Sequence, residues 1–322
     1  MSPAFLDAFR ARSGPAERLS FADFVALALY DPAVGYYRRA RARVGAGPDA
    51  DFVTSTSAGP LFGELVAAAA AALLEGEDPA RFAFVEIGAE GPGLLEGRPH
   101  PFASFRAVRA GAEPALAGPC VVFSNELFDA QPFRRFAFRR GAWRELGVAL
   151  AGAALAEVEL AETALPPPLA ALPPPAEGYV IDAPSGAGDL LGRLAAPGWS
   201  GLFLACDYGK SWRDLSTATP AGTARAYHRH RQESDLLARP GEQDLTCHVC
   251  WDWLEADLAA GGFGSIRLDS QEAFFVRHAS TLIERIVGED AGRVTPRKSA
   301  LLQLIHPSNF GQKFQVLSGR RS

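Results

Sequence analysis

Four short apolar runs do most to limit what this chain can fold into. FAFVEI (82–87), SFRAV (104–108), CVVFSN (120–125) and GLFLACDYG (201–209) are too short for core helices and rich in β-branched and aromatic residues. Near-continuous apolar runs of this length mark strands buried on both faces, as in a mostly parallel sheet covered by helices, so an α/β fold is predicted. The first 80 residues read as mainly helical. SFADFVALALYD offers Ser20 as an N-cap before helically spaced apolar residues and stops near Pro32, while GPLFGELVAAAAAALLEG has Pro60 in its first turn and stops near Gly76. Residues 133–160 alternate or turn at glycine, as a β-rich insertion does, and LPPPLAALPPP follows as an extended spacer that favours neither helix nor central strand. The predicted organisation is an N-terminal helical region over 1–80 and an α/β domain over 81–322 carrying an insertion at about 133–180.

Composition narrows the function classes. The 322 residues are 48% hydrophobic and 21% charged with a net charge of -5, which suits a globular protein and argues against nucleic acid or an anionic membrane as the partner. An N-terminal h-region and an apolar run of membrane-spanning length are both missing, so a cytoplasmic location is expected. Four cysteines in a chain this long make no disulfide framework. Cys120 and Cys206 sit in apolar runs as small buried hydrophobes, and Cys247 and Cys250 flank His248 without the second pair a zinc site needs. His228 and His230 do not share a helical face and lack a third ligand, so a polar loop is expected there and no metal.

Three stretches carry candidate chemistry. VEIGAEGPGLLEG (85–97) leads a strand into Gly88, Gly91 and Gly93, the order used by nucleotide loops, but its spacing is G-x-x-G-x-G in place of G-x-G-x-x-G. SNELFDAQPF (124–133) brings Asn125, Glu126 and Asp129 to the carboxyl end of an apolar strand, where open α/β sheets place ligands. Such a group can orient a cationic guanidinium and take up a proton; equally, Asn125 can cap a helix whose first turn favours the acids. CDYG (206–209) places Asp207 and Tyr208 at another strand end, with a turn-forming role as the plainer alternative. Arg134, Arg135, Arg139, Arg140 and Arg144 read as a solvated strand face, and Tyr36 and Tyr37 as packing against the first helix.

Taken in order, ALYDPAVGYY, DFVTSTSAGPLFGEL, VEIGAEGPGLL, NELFDAQPFRRF, CDYG, GTARAYHRHR, PGEQDLTCHV and LIHPSNFGQKFQVL resemble the MidA-like methyltransferases, bacterial relatives of the mitochondrial complex I assembly factor that methylates protein arginine. The resemblance spans most of the chain. It implies a class I methyltransferase (Rossmann-like) fold with a seven-stranded sheet, S-adenosyl-L-methionine as cofactor, and a protein arginine as substrate. By position it implies Glu86, Gly88, Gly91 and Gly93 for the cofactor loop, Asn125 for the motif after the fourth strand, and Asp207, Tyr208 and Gly209 for the strand-five rim. Thr54, Ser55, Gly63 and Glu64 would form an N-terminal cofactor-facing segment. Glu126 and Asp129 are the candidate catalytic residues.

The chain departs from that pattern in three places. Glu90 and Pro92 stand where the family has glycines, Arg109 occupies the strand-two position that usually holds a ribose-binding acid, and EGRPHPFAS is short and proline-interrupted where a helix is expected. Unpaired, these groups predict weak or absent S-adenosylmethionine binding. Three functions therefore compete: an active protein methyltransferase, a non-catalytic binding or assembly protein on the same scaffold, and a binder of a phosphorylated nucleotide through Arg109. The partner is a protein substrate or assembly partner.

Overall fold

A computed structural model describes every residue except 40–42, 44–54, 153, 162, 197, 290 and 291, and only the backbone of 57 and 58. Along the chain run α1 (Pro3–Ser13), β1 (Arg18–Ser20), α2 (Phe21–Tyr30), α3 (Pro60–Leu73), β2 (Ala83–Ile87), β3 (Ser104–Val108) and β4 (Gly118–Asn125). Next come β5 (Arg134–Arg139), β6 (Ala142–Ala151), β7 (Ala154–Glu159), α4 (Pro167–Ala170), β8 (Val180–Ala183), α5 (Ser185–Ala195), β9 (Trp199–Asp207) and β10 (Gly209–Lys210). The remainder is α6 (Trp212–Thr217), β11 (Arg225–His228), β12 (Arg231–Glu233), β13 (Asp244–Thr246), β14 (Val249–Cys250), α7 (Trp251–Ala260), β15 (Gly264–Ser270), α8 (Gln271–His278), α9 (Ser280–Gly288), α10 (Pro296–Ile305) and β16 (Gln315–Arg321). Both helix starts read from sequence hold: the Ser20 hydroxyl accepts from the Asp23 amide, and Pro60 opens α3.

The chain divides into two compact units, one of residues 1–41, 128–190 and 210–254, the other of 42–127, 191–209 and 255–322. The helical N-terminal region is thus split between them, where the sequence reading kept it as one block. In the second unit a six-stranded mixed sheet has the order β15-β16-β9-β4-β2-β3 among the described residues. β3, β2, β4 and β9 are parallel, and β16 and β15 close the other edge antiparallel. All four apolar runs are strands of this sheet. Phe62 and Leu65 of α3 and Phe275 of α8 pack on Phe84, Phe123 and Leu204, and the alanine face of α3 at Ala69 and Ala70 lets the helix approach closely.

The α/β class I architecture is present, and among the described residues this sheet has six strands where seven were expected. Residues 109–117 join β3 to β4 directly, too few for a further strand and its crossover. Residues 88–103 link the parallel pair β2 and β3 through turns without a helix.

The first unit holds a second sheet, formed mainly by the stretch that the sequence marks as β-rich. β1, β6, β5 and β8 form an antiparallel sheet with β7 on β6, and Phe136, Phe138 and Ile181 lie in its core against Trp143, Trp212 and Trp253. The proline spacer is not wholly extended. Pro167 and Pro168 start the single-turn α4, where their missing N–H groups cost nothing. Arg134 and Arg135 are partly buried ion-pair members, Arg134 bonding Glu145 at 2.6 Å and Arg135 reaching Asp182 at 2.5 Å and Glu157 at 3.1 Å, whereas Arg139 and Arg140 meet Glu159 on an exposed face, as the solvated reading expects. His228 ends β11 and His230 lies in the hairpin turn to β12, where Arg229 and His230 take φ of 49° and 61°, so the predicted polar loop is a two-residue turn. All four cysteines are buried and none forms a disulfide, and among the described residues no cluster suits a metal. No helix among them is long and apolar enough to cross a membrane.

Candidate active site

Parallel strands β2, β4 and β9 end together in the second unit, and most of the predicted cofactor residues lie at or just beyond those ends. Gly88 leaves β2 at φ 78°, a conformation that favours glycine, and a Cβ there would stand 2.7 Å from the Leu127 side chain. Its amide and that of Ala89 both donate to the Val108 carbonyl, which ties the loop to β3. Gly91 also takes a positive φ, 62°. Gly93 is fixed by packing, since a Cβ would meet the Phe105 ring at 2.6 Å.

The loop amides are largely used within the loop. Leu94 N–H donates to Glu86 Oε2 at 2.6 Å and Gly93 N–H to Glu96 Oε2 at 2.9 Å. Glu86 is buried, and burial pushes its carboxyl up to about 7 against the lowering effects of the Leu94 amide and the Arg109 charge. Gly63 of α3 abuts this structure, its would-be Cβ only 2.7 Å from the Leu94 carbonyl oxygen. Glu64, one residue on, points to Arg297 at 2.5 Å.

Two of the departures, Glu90 and Arg109, have partners in the fold. Glu90 faces Arg43, whose side chain is 9% exposed, at 3.4 Å. Arg109 donates to the Gly91 carbonyl at 2.7 Å and bridges the turn at the point where the expected acid is missing. An unpaired, repelling Glu90 is therefore not what the fold contains, which removes one premise of the weak-binding expectation.

At the end of β4 the chain makes a strained corner. Glu126 takes φ 49°, rare for a residue with a side chain, while its amide donates to the Cys206 carbonyl. Asn125 Nδ2 donates to Glu126 Oε1 at 3.0 Å, and Asn125 Oδ1 is buried without a hydrogen-bond partner among the described residues. No helix begins here, so the capping alternative fails. Asp207 is fully buried and accepts from the Leu127 amide at 3.1 Å and the Tyr208 amide at 2.9 Å; it shapes the rim through the backbone it holds. Tyr208 meets Phe314 edge to face, and the Gly209 amide donates to Gln315.

Ser55 is fully buried and donates to Gln271 Oε1 at 3.2 Å, whereas Thr54 lies outside the described residues. Asp129 belongs to the first unit, where it is buried and its carbonyl accepts from the Cys247 amide. In that unit Tyr30 stacks on Tyr37 at 5.5 Å, Tyr37 donates to Asp244 at 3.0 Å, and Gln131 donates to the Tyr30 hydroxyl at 3.2 Å. Tyr36 is fully buried, so the aromatic pair packs as expected. Burial lowers His248 to about 4, leaving a neutral imidazole at pH 7.

Sequence reasoning missed Arg43, Glu96 and Gln271. Glu96 sits three residues after Gly93, a short-range signal that was available; Arg43 and Gln271 meet their partners from 47 and 216 residues away and carried none.

Comparison with known proteins defines the class. A family model described as "Putative S-adenosyl-L-methionine-dependent methyltransferase" matches residues 104–265, half of the chain. The chain belongs to this methyltransferase family. Among solved structures, a superfamily member from Burkholderia thailandensis bound to S-adenosyl-homocysteine is 24% identical with a TM-score of 0.85, over 99% of this chain and 92% of that one. A native crystal structure of a protein of the same superfamily and organism is 23% identical with a TM-score of 0.82, over 99% and 91%. They share the fold. No curated protein matches the chain.

S-adenosylmethionine is the cofactor that defines the family. The residues present fit it: a buried carbonyl oxygen at Asn125 is an acceptor suited to an ammonium group, and a strained acidic corner stands beside it at the strand ends.

Proposed function

We propose that this chain transfers a methyl group from S-adenosylmethionine to an arginine of a protein substrate. When bound, the cofactor supplies an electrophilic methyl on its sulfonium. The chain's own residues do the rest: Glu86 and the glycine turn shape the cofactor loop, Ser55 and Asn125 offer polar groups to the methionine end, and Glu126 receives the guanidinium. A guanidinium is protonated below about pH 12 and is a poor nucleophile until carboxylates orient it and share its charge. In an in-line transfer the sulfur–carbon bond breaks as the nitrogen–carbon bond forms, and the proton lost from nitrogen passes to a carboxylate.

One observation carries this reading. Glu126 is held at positive φ at the end of a central parallel strand, a costly conformation for a non-glycine residue and one that gathers at functional sites. The test has two stages. Calorimetric titration with S-adenosylmethionine should show binding by the native chain, and mass spectrometry should show methylation of arginine peptides that Glu126→Gln loses while still binding cofactor. Failure to bind, or transfer undiminished in Glu126→Gln, overturns the assignment.

A further inference from the structure

Gln271 lies far from every motif that marks the cofactor site, yet its side chain joins three parts of the same unit. Fully buried at the start of α8, it accepts at Oε1 from Ser55 Oγ at 3.2 Å and from Cys206 Sγ at 3.2 Å, and donates from Nε2 to the Leu304 carbonyl at 2.8 Å. The amide orientation follows from these partners, since a carbonyl accepts and the hydroxyl and thiol donate. Burial raises the Cys206 thiol well above its ordinary range, so it keeps the proton it donates.

The sheet register shows what lies next to this junction. Glu86 pairs with Phe123 and Phe123 with Leu204, and two residues further along, Asn125 pairs with Cys206. Side chains alternate along a strand, so Glu86, Asn125 and Cys206 all project on the face where Phe84, Phe123 and Leu204 pack beneath α3 and α8. Glu86, Asn125 and Cys206 thus form a polar row at the strand ends, and Gln271 ties Ser55 to that row through Cys206.

We propose that Gln271 is a positioning residue for the cofactor: it orients the Ser55 hydroxyl by accepting its hydrogen bond, leaving the oxygen lone pairs as acceptors. The assignment rests on the methyltransferase reading above.

The experiment is a double-mutant cycle on S-adenosyl-homocysteine affinity, measured by calorimetry on the full chain with melting temperatures alongside. Gln271→Met and Ser55→Ala should each weaken binding about tenfold, the scale of one lost hydrogen bond, and the double variant should bind no more weakly than either. Gln271→Glu keeps the acceptor for Ser55 while disturbing the bond to Leu304, so it should hold affinity within about twofold although its melting temperature falls. Should Gln271→Met fail to fold, Gln271→Asn, which draws the carbonyl back by one methylene, takes its place with the same expectation. Additive losses in the double variant, native affinity in Gln271→Met, or equal weakening in Gln271→Glu would overturn the proposal. A native chain that does not bind S-adenosyl-homocysteine would instead remove the functional reading itself, and this inference with it.

Discussion

Replacing Glu86 by Gln isolates the charge of one carboxyl from its hydrogen bond. The amide oxygen of Gln still accepts from Leu94 N–H, so the loop contact at 2.6 Å survives, while the titrating proton is gone. Burial raises the native carboxyl from 4.5 to about 7. Between those values the folded protein holds more protons at this group than the unfolded chain, so Glu86's contribution to stability is fully present below pH 4.5 and is lost as the pH rises through 7. At 1.36 kcal/mol per pKa unit the loss comes to about 3 kcal/mol above pH 8. Glu86→Gln has no such loss. Wild type and variant should therefore melt together near pH 4.5 and separate by on the order of 6–12 °C at pH 8, with the variant higher. Hydrogen exchange over residues 83–94, compared at equal pH, localises the effect to this unit, which matters because a chain of two units need not melt in one step. Parallel melting curves across the whole range, or a variant less stable at pH 8, would refute the argument.

Two further substitutions test other joints of the fold. Asp182→Ala removes a fully buried carboxylate that accepts from Arg135 and from the Thr223 and Ala224 amides at 2.7 Å each, so urea denaturation should show a loss of about 3–5 kcal/mol. Gly63→Ala places a methyl 2.7 Å from the Leu94 carbonyl oxygen, so either α3 or the glycine turn after β2 must move. Calorimetry should find weaker S-adenosyl-homocysteine binding and melts should show about 1–3 kcal/mol of lost stability.

The parts of this fold legible in the sequence are those with short-range causes. Apolar runs flanked by breakers located β2, β3, β4 and β9; for β2, β4 and β9 burial on both faces writes itself into consecutive residues, whereas β3 is a largely uncovered edge strand. Ser20 and Pro60 located helix starts, because capping acts within a few residues. The edge strand β15 gave no such signal: GSIRLDS has no fully buried residue and mixes polar with apolar residues, so nothing in its composition demands a sheet. The number of strands was set by connection length, and the resemblance supplied an expectation of seven that the stretch 109–117 is too short to meet.

The loop GAEGPG shows why site chemistry is harder to read than site position. Its place at the end of β2 follows from local pattern, and the structure puts it there with positive φ at Gly88 and Gly91. Its charge balance does not, because the group that answers Glu90 is Arg43, 47 residues earlier, and the group that spans the turn is Arg109, 18 residues later. Each odd residue looks like damage when weighed alone, since an unanswered acid beside a carboxylate ligand is costly. Within the fold both join an interlocking set in which Glu86 and Glu96 hold the Leu94 and Gly93 amides and Arg109 holds the Gly91 carbonyl. The turn is thereby shaped by side chains reaching in from outside it, which is how a loop without a following helix can keep one conformation. Arg109 is then better understood as a brace that replaces the absent helix than as a donor awaiting a phosphate, and the loop's altered spacing is consistent with a working cofactor site built by different means.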